Sequence, residues 1–293
     1  MTRGRLSTAQ GTSRLWANVA LDVDPEQIMA ALERGFPVRL IGTFENLVTC
    51  RLEDSLNHVV SRTDAEEFDY LPVTDSDKIV GLLNRRALVA GEGLSAKGSE
   101  KLVSDAFDRL DERNIIAADA GILVFLLNAN RSPCRLILTT DRVTGLVSKS
   151  DLQKLPVRAL LFHVVTHLEL AMAAWIRRYL PDETAWLSVL PKGRRKCIEA
   201  RYRGLTSSNL AIDRLTATMF ADKRSVLLKC AALSISRTQA QKELKRVEEL
   251  RDSLAHSGDY ALTEKSADRM IETVASAQSW IESIPSLSPK SNT

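Results

Sequence analysis

Two stretches in the first half of the chain alternate between apolar and polar positions on either side of a short polar turn. Residues 71–83 place an apolar strand before a turn rich in Asp and Ser and a second strand after it, a pattern typical of a β-hairpin. Residues 135–147 repeat this order, with Gly81 and Gly145 at the same place in the two copies. The pattern therefore predicts two copies of one hairpin-containing unit.

Short helical patterns flank both hairpins. We expect helices at 55–61 and 102–113 before the hairpins, and at 85–89 and 150–155 after them. With a further strand before the first helix, each copy takes the order β-α-β-β-α. Two such units in succession are the simplest architecture that explains the first half of the chain.

From Leu155 onward the apolar positions change to a helical period. Apolar residues between Val157 and Leu180 recur three or four positions apart, and Pro156 and Pro181 bound the run, which predicts one long amphipathic helix. Further helices are expected at 209–220, 223–235, 239–256 and 267–284. The second half is therefore predicted to be an all-α bundle of four to six helices, and the whole chain belongs to the α+β class.

Length and composition set the domain organisation. A chain of 293 residues corresponds to about two domains at roughly 150 residues each, and its 44% hydrophobic residues suffice for a core in both. Residues 1–14 and 285–293 are too polar to offset the entropy of ordering, so we expect disorder there. The predicted domains are the duplicated unit at 15–155 and the helical bundle at 156–284.

Charge and cysteine content narrow the functional classes. With 40 basic and 37 acidic residues the net charge is only +3, so the chain as a whole is not built to coat nucleic acid; the basic excess lies between 156 and 260. The four cysteines show neither close pairing nor metal-ligand spacing, so we expect reduced thiols and no metal site. No apolar run approaches the ~18 to 20 residues of a membrane span, and we expect a cytoplasmic protein without membrane contact.

The duplicated unit resembles the tandem CBS domain pair, or Bateman module, over residues 38–155. Gly145, Ser148 and Asp151 match the signature with which that family contacts a ribose. The resemblance implies an adenine-type nucleotide as regulatory ligand at Ser148, Ser150 and Asp151, since a carboxylate can accept ribose hydroxyl protons and helix N-terminal groups face phosphate. The alternative is that Ser148 and Asp151 only cap a helix.

The first copy departs from this signature. Asn84 and Ala87 occupy the positions that correspond to Ser148 and Asp151, so the first copy has no carboxylate for a ribose. We therefore expect at most one nucleotide site per chain, in the second copy.

Near the end of a predicted helix, the chain resembles a second family. Arg251 and His256 have the spacing of the Arg, four to six residues, His motif of HEPN domains, helical bundles that include metal-independent endoribonucleases. The same spacing occurs at Arg51 and His58. Only Arg251 lies in the last third of a helical region and is followed directly by a polar residue, Asp252, so this pair is the candidate.

The HEPN resemblance implies RNA cleavage without metal or any other required cofactor. The RNA 2′-OH attacks the adjacent phosphate and leaves a 2′,3′-cyclic phosphate, with His256 as acid or base and Arg251 as phosphate clamp. Asp252 would orient the His256 ring. Residues five apart do not share a helix face, and one His cannot easily serve as both acid and base. Arg251 and His256 converge only if the guanidinium reaches round the helix or if a second subunit completes the site. The resemblance implies a homodimer that joins two Arg/His sets.

A cluster of basic residues follows the long helix. Its members are candidates for RNA contact because single-stranded RNA is held through phosphates and by stacking on aromatic or guanidinium planes. They are Lys192, Arg194, Arg195, Lys196, Arg201 and Arg203. The alternative is an ordinary solvated helix face, and we do not expect DNA as a partner.

Two functional hypotheses follow. The first is a ligand-gated HEPN endoribonuclease, in which a nucleotide near Asp151 controls how two Arg251/His256 sets meet; a role in stress response or phage defence would suit such an enzyme. The second is a non-catalytic nucleotide-sensing or RNA-binding dimer, in which the helical bundle is a scaffold and Arg251 with Asp252 is a structural ion pair.

Overall fold

The computed structural model of the protein describes residues 34–91, 101–207, 212–256 and 260–290, together with positions 27, 31 and 32. The chain divides into two compact units. The first, called here the sheet unit, combines Leu32–Leu160 with Asp259–Glu272. The second, the helical unit, is built on Leu161–Gly258 and Thr273–Thr293. A short segment near the C-terminal end thus belongs to the sheet unit.

The first copy of the repeat has the predicted order of elements. It consists of strand β1 (Cys50–Arg51), helix α1 (Leu56–Ser61), strands β2 (Tyr70–Asp75) and β3 (Lys78–Asn84), and helix α2 (Arg85–Val89). Strand β1 is parallel to β2, and β2 is antiparallel to β3. In the turn, Ser76 and Asp77 have left-handed φ values of 47° and 64°, which suit the short polar residues there. The predicted hairpin and both flanking helices are confirmed.

The connecting segment and the second copy complete the sheets. Strand β4 (Asp108–Arg109) pairs antiparallel with β3. The second copy consists of β5 (Ile115–Ala117), α3 (Ile122–Asn128), β6 (Cys134–Thr139) and β7 (Arg142–Ser148). Strand β5 is parallel to β6, and β6 is antiparallel to β7, as in the first copy. The second hairpin is therefore also confirmed, and the 3₁₀ helix Lys149–Gln153 stands where a helix was expected at 150–155.

The helix predicted at 102–113 is wrong. The structure has a 3₁₀ turn at Val103–Asp105 and then β4, and the helix of the second copy is α3, further along the chain. Val103 is fully buried in the core of the first copy, and Phe107 packs against the same core. Apolar residues four apart fit a helical period, but here the chain makes a single 3₁₀ turn and residues 108–109 are then held extended by their pairing with β3.

Each copy is covered by a segment that precedes the other copy. Thr43 exchanges two main-chain hydrogen bonds with Leu146 of β7, and β4 pairs with β3. Gly145 and Gly81 permit these contacts, because a Cβ on Gly145 would lie 2.5 Å from the Thr43 carbonyl oxygen, and one on Gly81 would collide with the Asp108 carbonyl. The repeated glycine is therefore a close-approach position in both copies.

The core of the first copy forms between its sheet and its helices. Leu71, Val73 and Leu83 of the hairpin are fully buried against Val59 of α1 and Val103 of the connecting segment. Burial of one such side chain contributes about 1.5–3 kcal/mol, so these contacts fix the hairpin relative to the helix. Leu71, Pro72 and Val73 of β2 are buried in succession, so both faces of this central strand are covered.

The second half of the chain is helical. The elements are α4 (Leu155–Tyr179), α5 (Glu183–Ser188), α6 (Lys192–Thr206), α7 (Phe220–Cys230), α8 (Arg237–Ala255) and α9 (Glu264–Ser283). The long helix after Leu155 and the helices near 239–256 and 267–284 are confirmed to within a few residues. Helices α5 and α6 were absent from the predicted set.

The predicted helices at 209–220 and 223–235 are corrected by the structure. Residues 208–211 lie outside the described residues, and 212–219 contain a turn at 214–217 but no helix. Helix α7 begins only at Phe220, where Asp222 accepts a hydrogen bond from the Met219 main-chain N–H, and it ends at Cys230. The cap overrides the apolar period, which alone extends the predicted helix in both directions.

Helix α4 has the length and hydropathy of a membrane span. An 18-residue window within its 25 residues has a mean hydropathy of 1.6, contrary to the expectation that no run of the chain approaches a span. Within that window 56% of the residues are buried inside the protein. The core helix of a water-soluble domain shares these properties, so the helix alone is weak evidence for a membrane.

Candidate functional site

A cleft of about 530 Å³ opens in the sheet unit. Its wall includes three groups of residues: the chain that leads into β2, the end of β7 with the 3₁₀ helix that follows, and the segment before and at the start of α9. The lining residues include Thr43, Phe68, Tyr70, Arg86, Ser148, Lys149, Ser150, Asp151, Leu262 and Glu264. The volume lies within the range of about 300–1,000 Å³ that is usual for small-ligand sites. All three residues predicted to contact a nucleotide line this cleft.

Asp151 is buried and its carboxylate is engaged on both oxygens. Ser148 donates to Oδ2 from its main-chain N–H at 2.6 Å and from its hydroxyl at 3.3 Å. Lys154 Nζ lies 2.7 Å from Oδ1. With only 6% of the residue exposed, Asp151 caps the 3₁₀ helix as the alternative interpretation of the sequence proposed.

In the first copy the N-cap position equivalent to Ser148 is Asn84. Its side-chain oxygen accepts a hydrogen bond of 3.0 Å from the Ala87 N–H at the start of α2. Both copies therefore cap this helix by a hydrogen bond between the two equivalent positions, and only the second copy has a carboxylate there, that of Asp151.

Two cations at the cleft were not predicted from the sequence. Arg86 Nη2 lies 2.8 Å from Glu264 Oε2, and Arg86 Nη1 lies 3.8 Å from Asp69. The hydrogen bond with Glu264 is the main reason why the pKa of the Arg86 guanidinium is raised. Lys149 Nζ lies 2.6 Å from Asp268 Oδ1. Both cations are thus paired with acids of the segment at the start of α9.

Part of the cleft lining is apolar and aromatic. It consists of Leu47, Val48, Leu146, Tyr70 and Phe68, and Phe68 is 43% exposed. Burial is the main cause of the raised pKa of the Tyr70 hydroxyl, which therefore stays protonated at neutral pH. Such a surface suits a flat, uncharged ring rather than a phosphate.

The predicted catalytic residues lie at the end of α8 in the helical unit. Helix α8 ends at Ala255, and His256 is an exposed capping residue whose main-chain N–H donates to the Asp252 carbonyl at 3.1 Å. Arg251 Nη1 lies 3.5 Å from Asp252 Oδ1. The structure therefore pairs the side chains of Arg251 and Asp252. The contact that it shows between Asp252 and His256 is a main-chain hydrogen bond.

Four of the predicted RNA-contacting residues form one stripe on helix α6. Lys192, Arg195, Lys196 and Arg203 are exposed and lie at positions i, i+3, i+4 and i+11 of one helix face. Arg203 is paired at 3.0 Å with Glu199 on that face. The stripe has the layout of a surface for polyanions, and equally that of a solvated face.

The remaining two basic residues lie outside this stripe. Arg194 forms a two-point ion pair with the buried Asp222, at 2.9 Å and 2.7 Å, and so supports the start of α7. Arg201 is exposed but lies on the opposite side of α6 from the stripe. The sequence alone gives no sign of either difference.

The part of the chain that the structure describes contains no group of three or more His, Cys, Asp or Glu side chains placed to hold a metal ion. His163 and His167 of α4 lie with ring centroids 6.3 Å apart. Burial is the main cause of the lowered pKa of both imidazoles. His163 is partly buried and His167 is buried, so the two rings do not form an exposed site.

The family model of the CBS domain matches residues 41–91. This segment is a CBS domain. It covers the first copy of the repeat, from the segment before β1 to the end of α2. The mixed α+β architecture of the sheet unit, followed by a helical region, agrees with the expected fold class at this level.

Solved structures similar to this chain also contain CBS domains. The CBS domain of a bacterial CNNM/CorC family Mg²⁺ transporter in complex with ATP is 15% identical with a TM-score of 0.37, covering 45% of this chain and 93% of its own. CBSX2 in complex with AMP is 17% identical with a TM-score of 0.34, covering 43% and 97%. A hemolysin-like protein of Oenococcus oeni is 11% identical with a TM-score of 0.33, covering 43% and 93%. No curated protein matches the chain.

Proposed function

We propose that the sheet unit senses an adenine-type nucleotide, which binds in the cleft beside Ser148, Ser150 and Asp151. The observation that supports the proposal is the composition of this cleft. It brings together aromatic and apolar side chains for a base, hydroxyls and a carboxylate for a ribose, and the cations Arg86 and Lys149 for phosphates. CBS domains commonly bind adenine nucleotides, and residues 41–91 are such a domain.

Asp151 has limited capacity for a ribose. A carboxylate offers about four acceptor positions. The Ser148 N–H and hydroxyl and the Lys154 ammonium use three of them. One ribose hydroxyl can therefore donate to Asp151 while Lys154 stays in place, and a second hydroxyl requires Lys154 to leave.

The test is equilibrium binding of ATP and AMP to the full chain by calorimetry. We expect Lys149→Met to weaken ATP binding by about tenfold or more, because a charge-assisted phosphate contact is lost, and to affect AMP less. Lys78→Met is the matched control, since Lys78 is an exposed lysine of the sheet unit away from the cleft. Undetectable ATP binding at millimolar concentration, or equal effects of both substitutions, would overturn the proposal.

Asp151→Asn separates the two roles of this residue. If Asp151 holds a ribose hydroxyl, the variant should bind both nucleotides more weakly. If only the Lys149 variant loses affinity, the site is correct and the ribose role of Asp151 is wrong.

We propose as a second function that the helical unit cleaves RNA, with the nucleotide as regulator and a homodimer as the active form. The supporting observation is the accessibility of the two residues: His256 is exposed, and the Arg251 side chain is 36% exposed one turn earlier in the helix. Both groups can reach a polyanionic substrate, as phosphate clamping and proton transfer require. The stripe on α6 would supply further phosphate contacts.

The test is incubation of the full chain with total tRNA and rRNA in EDTA, with and without ATP, followed by end-group analysis. We expect the wild type to leave 2′,3′-cyclic phosphate and His256→Ala to be inactive. His58→Ala is the matched control, because His58 is also exposed and follows an arginine at the same type of spacing. Cleavage that needs a divalent metal, or that survives in His256→Ala, would exclude this function. Inertness of the wild type under every condition would favour the non-catalytic sensor.

A further inference from the structure

We propose that residues 260–268 act as a built-in competitor for the anionic ligand of the cleft. In this proposal Glu264 and Asp268 form ion pairs with Arg86 and Lys149, the two cations that would bind ligand phosphates. Ligand binding breaks these pairs and releases the segment. The inference rests on the proposed nucleotide site and adds its regulation. All residues involved belong to the sheet unit.

The segment is docked beside the cleft by specific hydrogen bonds. The Tyr260 hydroxyl donates to the Leu152 carbonyl at 3.0 Å, in a buried position. The Gln153 side-chain amide donates to the Ala261 carbonyl at 2.7 Å. These contacts attach the segment to the 3₁₀ helix that carries Asp151, so the start of α9 lies against the residues predicted to meet the nucleotide.

The acids of the segment take the place that ligand phosphates would take. Glu264 lies 2.8 Å from Arg86, and Asp268 lies 2.6 Å from Lys149. Among the described residues that line the cleft, the cations are Arg86 and Lys149 and the acids are Glu67, Asp69, Asp151 and Glu264. A polyanion that entered the cleft while both ion pairs were in place would meet more negative than positive charge. Productive binding therefore requires the cations to exchange Glu264 and Asp268 for phosphate.

The strength of the two ion pairs allows such an exchange. The side chains of Arg86 and Glu264 are each more than half exposed, while Lys149 is 18% and Asp268 39% exposed. Each pair thus has a partner that is more than a third exposed, and such ion pairs are weak, whereas hydrogen bonds between cations and phosphate are among the stronger polar contacts. The segment can therefore pair with both cations and still release them to a ligand that carries several charges.

The first test compares ATP binding to the full-length wild type and to the double variant Glu264→Gln, Asp268→Asn. We expect the double variant to bind ATP about 5–10-fold more tightly, because two weak competing ion pairs are removed. Asp141→Asn, Glu282→Gln is the matched control, since it removes two exposed carboxylates outside the cleft lining. Equal affinity of the double variant and the wild type would overturn the competitor and leave the nucleotide site standing. Absence of ATP binding in all variants would overturn both.

The second test follows main-chain hydrogen exchange of the wild type over residues 260–272. If the segment is displaced, saturating ATP should accelerate exchange of these amides. The control variant should show the same acceleration. Slower exchange on ATP addition would show that the segment closes over the ligand instead, and would overturn the proposal.

Discussion

Substitution of Gly145 by Ala is the sharpest test of how the two copies are assembled. An added Cβ would lie 2.5 Å from the Thr43 carbonyl oxygen and 2.7 Å from Phe44 Cδ1. Ordinary contact lies near 3.5 Å, so the covering segment must move by roughly 1 Å. That movement strains both main-chain hydrogen bonds between Thr43 and Leu146, which measure 2.8 Å and 3.0 Å.

The expected cost follows from these contacts. Overpacking of a core costs about 1–3 kcal/mol, and each main-chain hydrogen bond contributes about 0.5–1.5 kcal/mol. We expect Gly145→Ala to lower the free energy of unfolding of the sheet unit by about 3 kcal/mol. For a unit of this size the melting temperature should fall by roughly 6–12 °C.

The assay is thermal unfolding of the full chain followed by circular dichroism, with urea unfolding as a second measure. Gly35→Ala is the matched control: Gly35 belongs to the same unit, and an added Cβ there meets nothing within 4 Å. This variant should be neutral or slightly stabilising. The reasoning would be refuted if Gly145→Ala melted at the wild-type temperature, or if both alanines cost the same.

Three further outcomes are expected. Arg194→Met should destabilise the helical unit by about 2–3 kcal/mol in urea unfolding, because Asp222 would keep a buried charge without its partner; an unchanged midpoint would contradict this. Burial acts to raise the pKa of Asp213, but hydrogen bonds, chiefly from Arg177, lower it to about 2. The ionised carboxylate therefore stabilises the fold by up to about 1 kcal/mol above pH ~4, and this contribution is lost as the pH falls toward 2. Asp213→Asn should abolish that part of the pH dependence of stability. Tyr260→Phe should accelerate amide exchange in residues 260–272 without ligand, because it removes a buried hydrogen bond of about 1 kcal/mol; unchanged exchange would show that the hydroxyl does not hold the segment.

The hairpins could be predicted because their signals are local. The turn Asp75, Ser76 and Asp77 supplies left-handed and capping conformations without help from the rest of the fold. The apolar residues on either side are then close enough in sequence to pair. The same reasoning holds for α8, which begins after the capping residue Ser236.

The elements that failed are those whose conformation depends on distant partners. Val103 and Phe107 have helical spacing, yet their segment forms only a 3₁₀ turn and then strand β4, because β3 offers an open edge and Gly81 leaves room for the Phe107 ring. Helix α3 is an almost continuous apolar run, which by period alone fits a buried strand as well as a helix.

The candidate cleft was predictable in part for the same reason. Ser148, Ser150 and Asp151 lie within four positions and carry a recognisable pattern. Arg86 and Glu264 are 178 positions apart, and their pairing follows only from the folded chain. A surface ion pair leaves no periodicity in the sequence, so nothing in the sequence marked either residue.

Each copy of the repeat is covered by a segment that precedes the other copy, and this limits where the chain can be cut into fragments. A fragment cut at the family boundaries, 41–91, would lack β4 and leave the outer edge of β3 with unpaired main-chain groups. An open edge of this kind recruits strands from other molecules. A fragment that loses the covering segment of either copy would therefore expose a strand edge that favours aggregation. The pair with both covering segments is the part of the chain that keeps the outer edges of β3 and β7 paired.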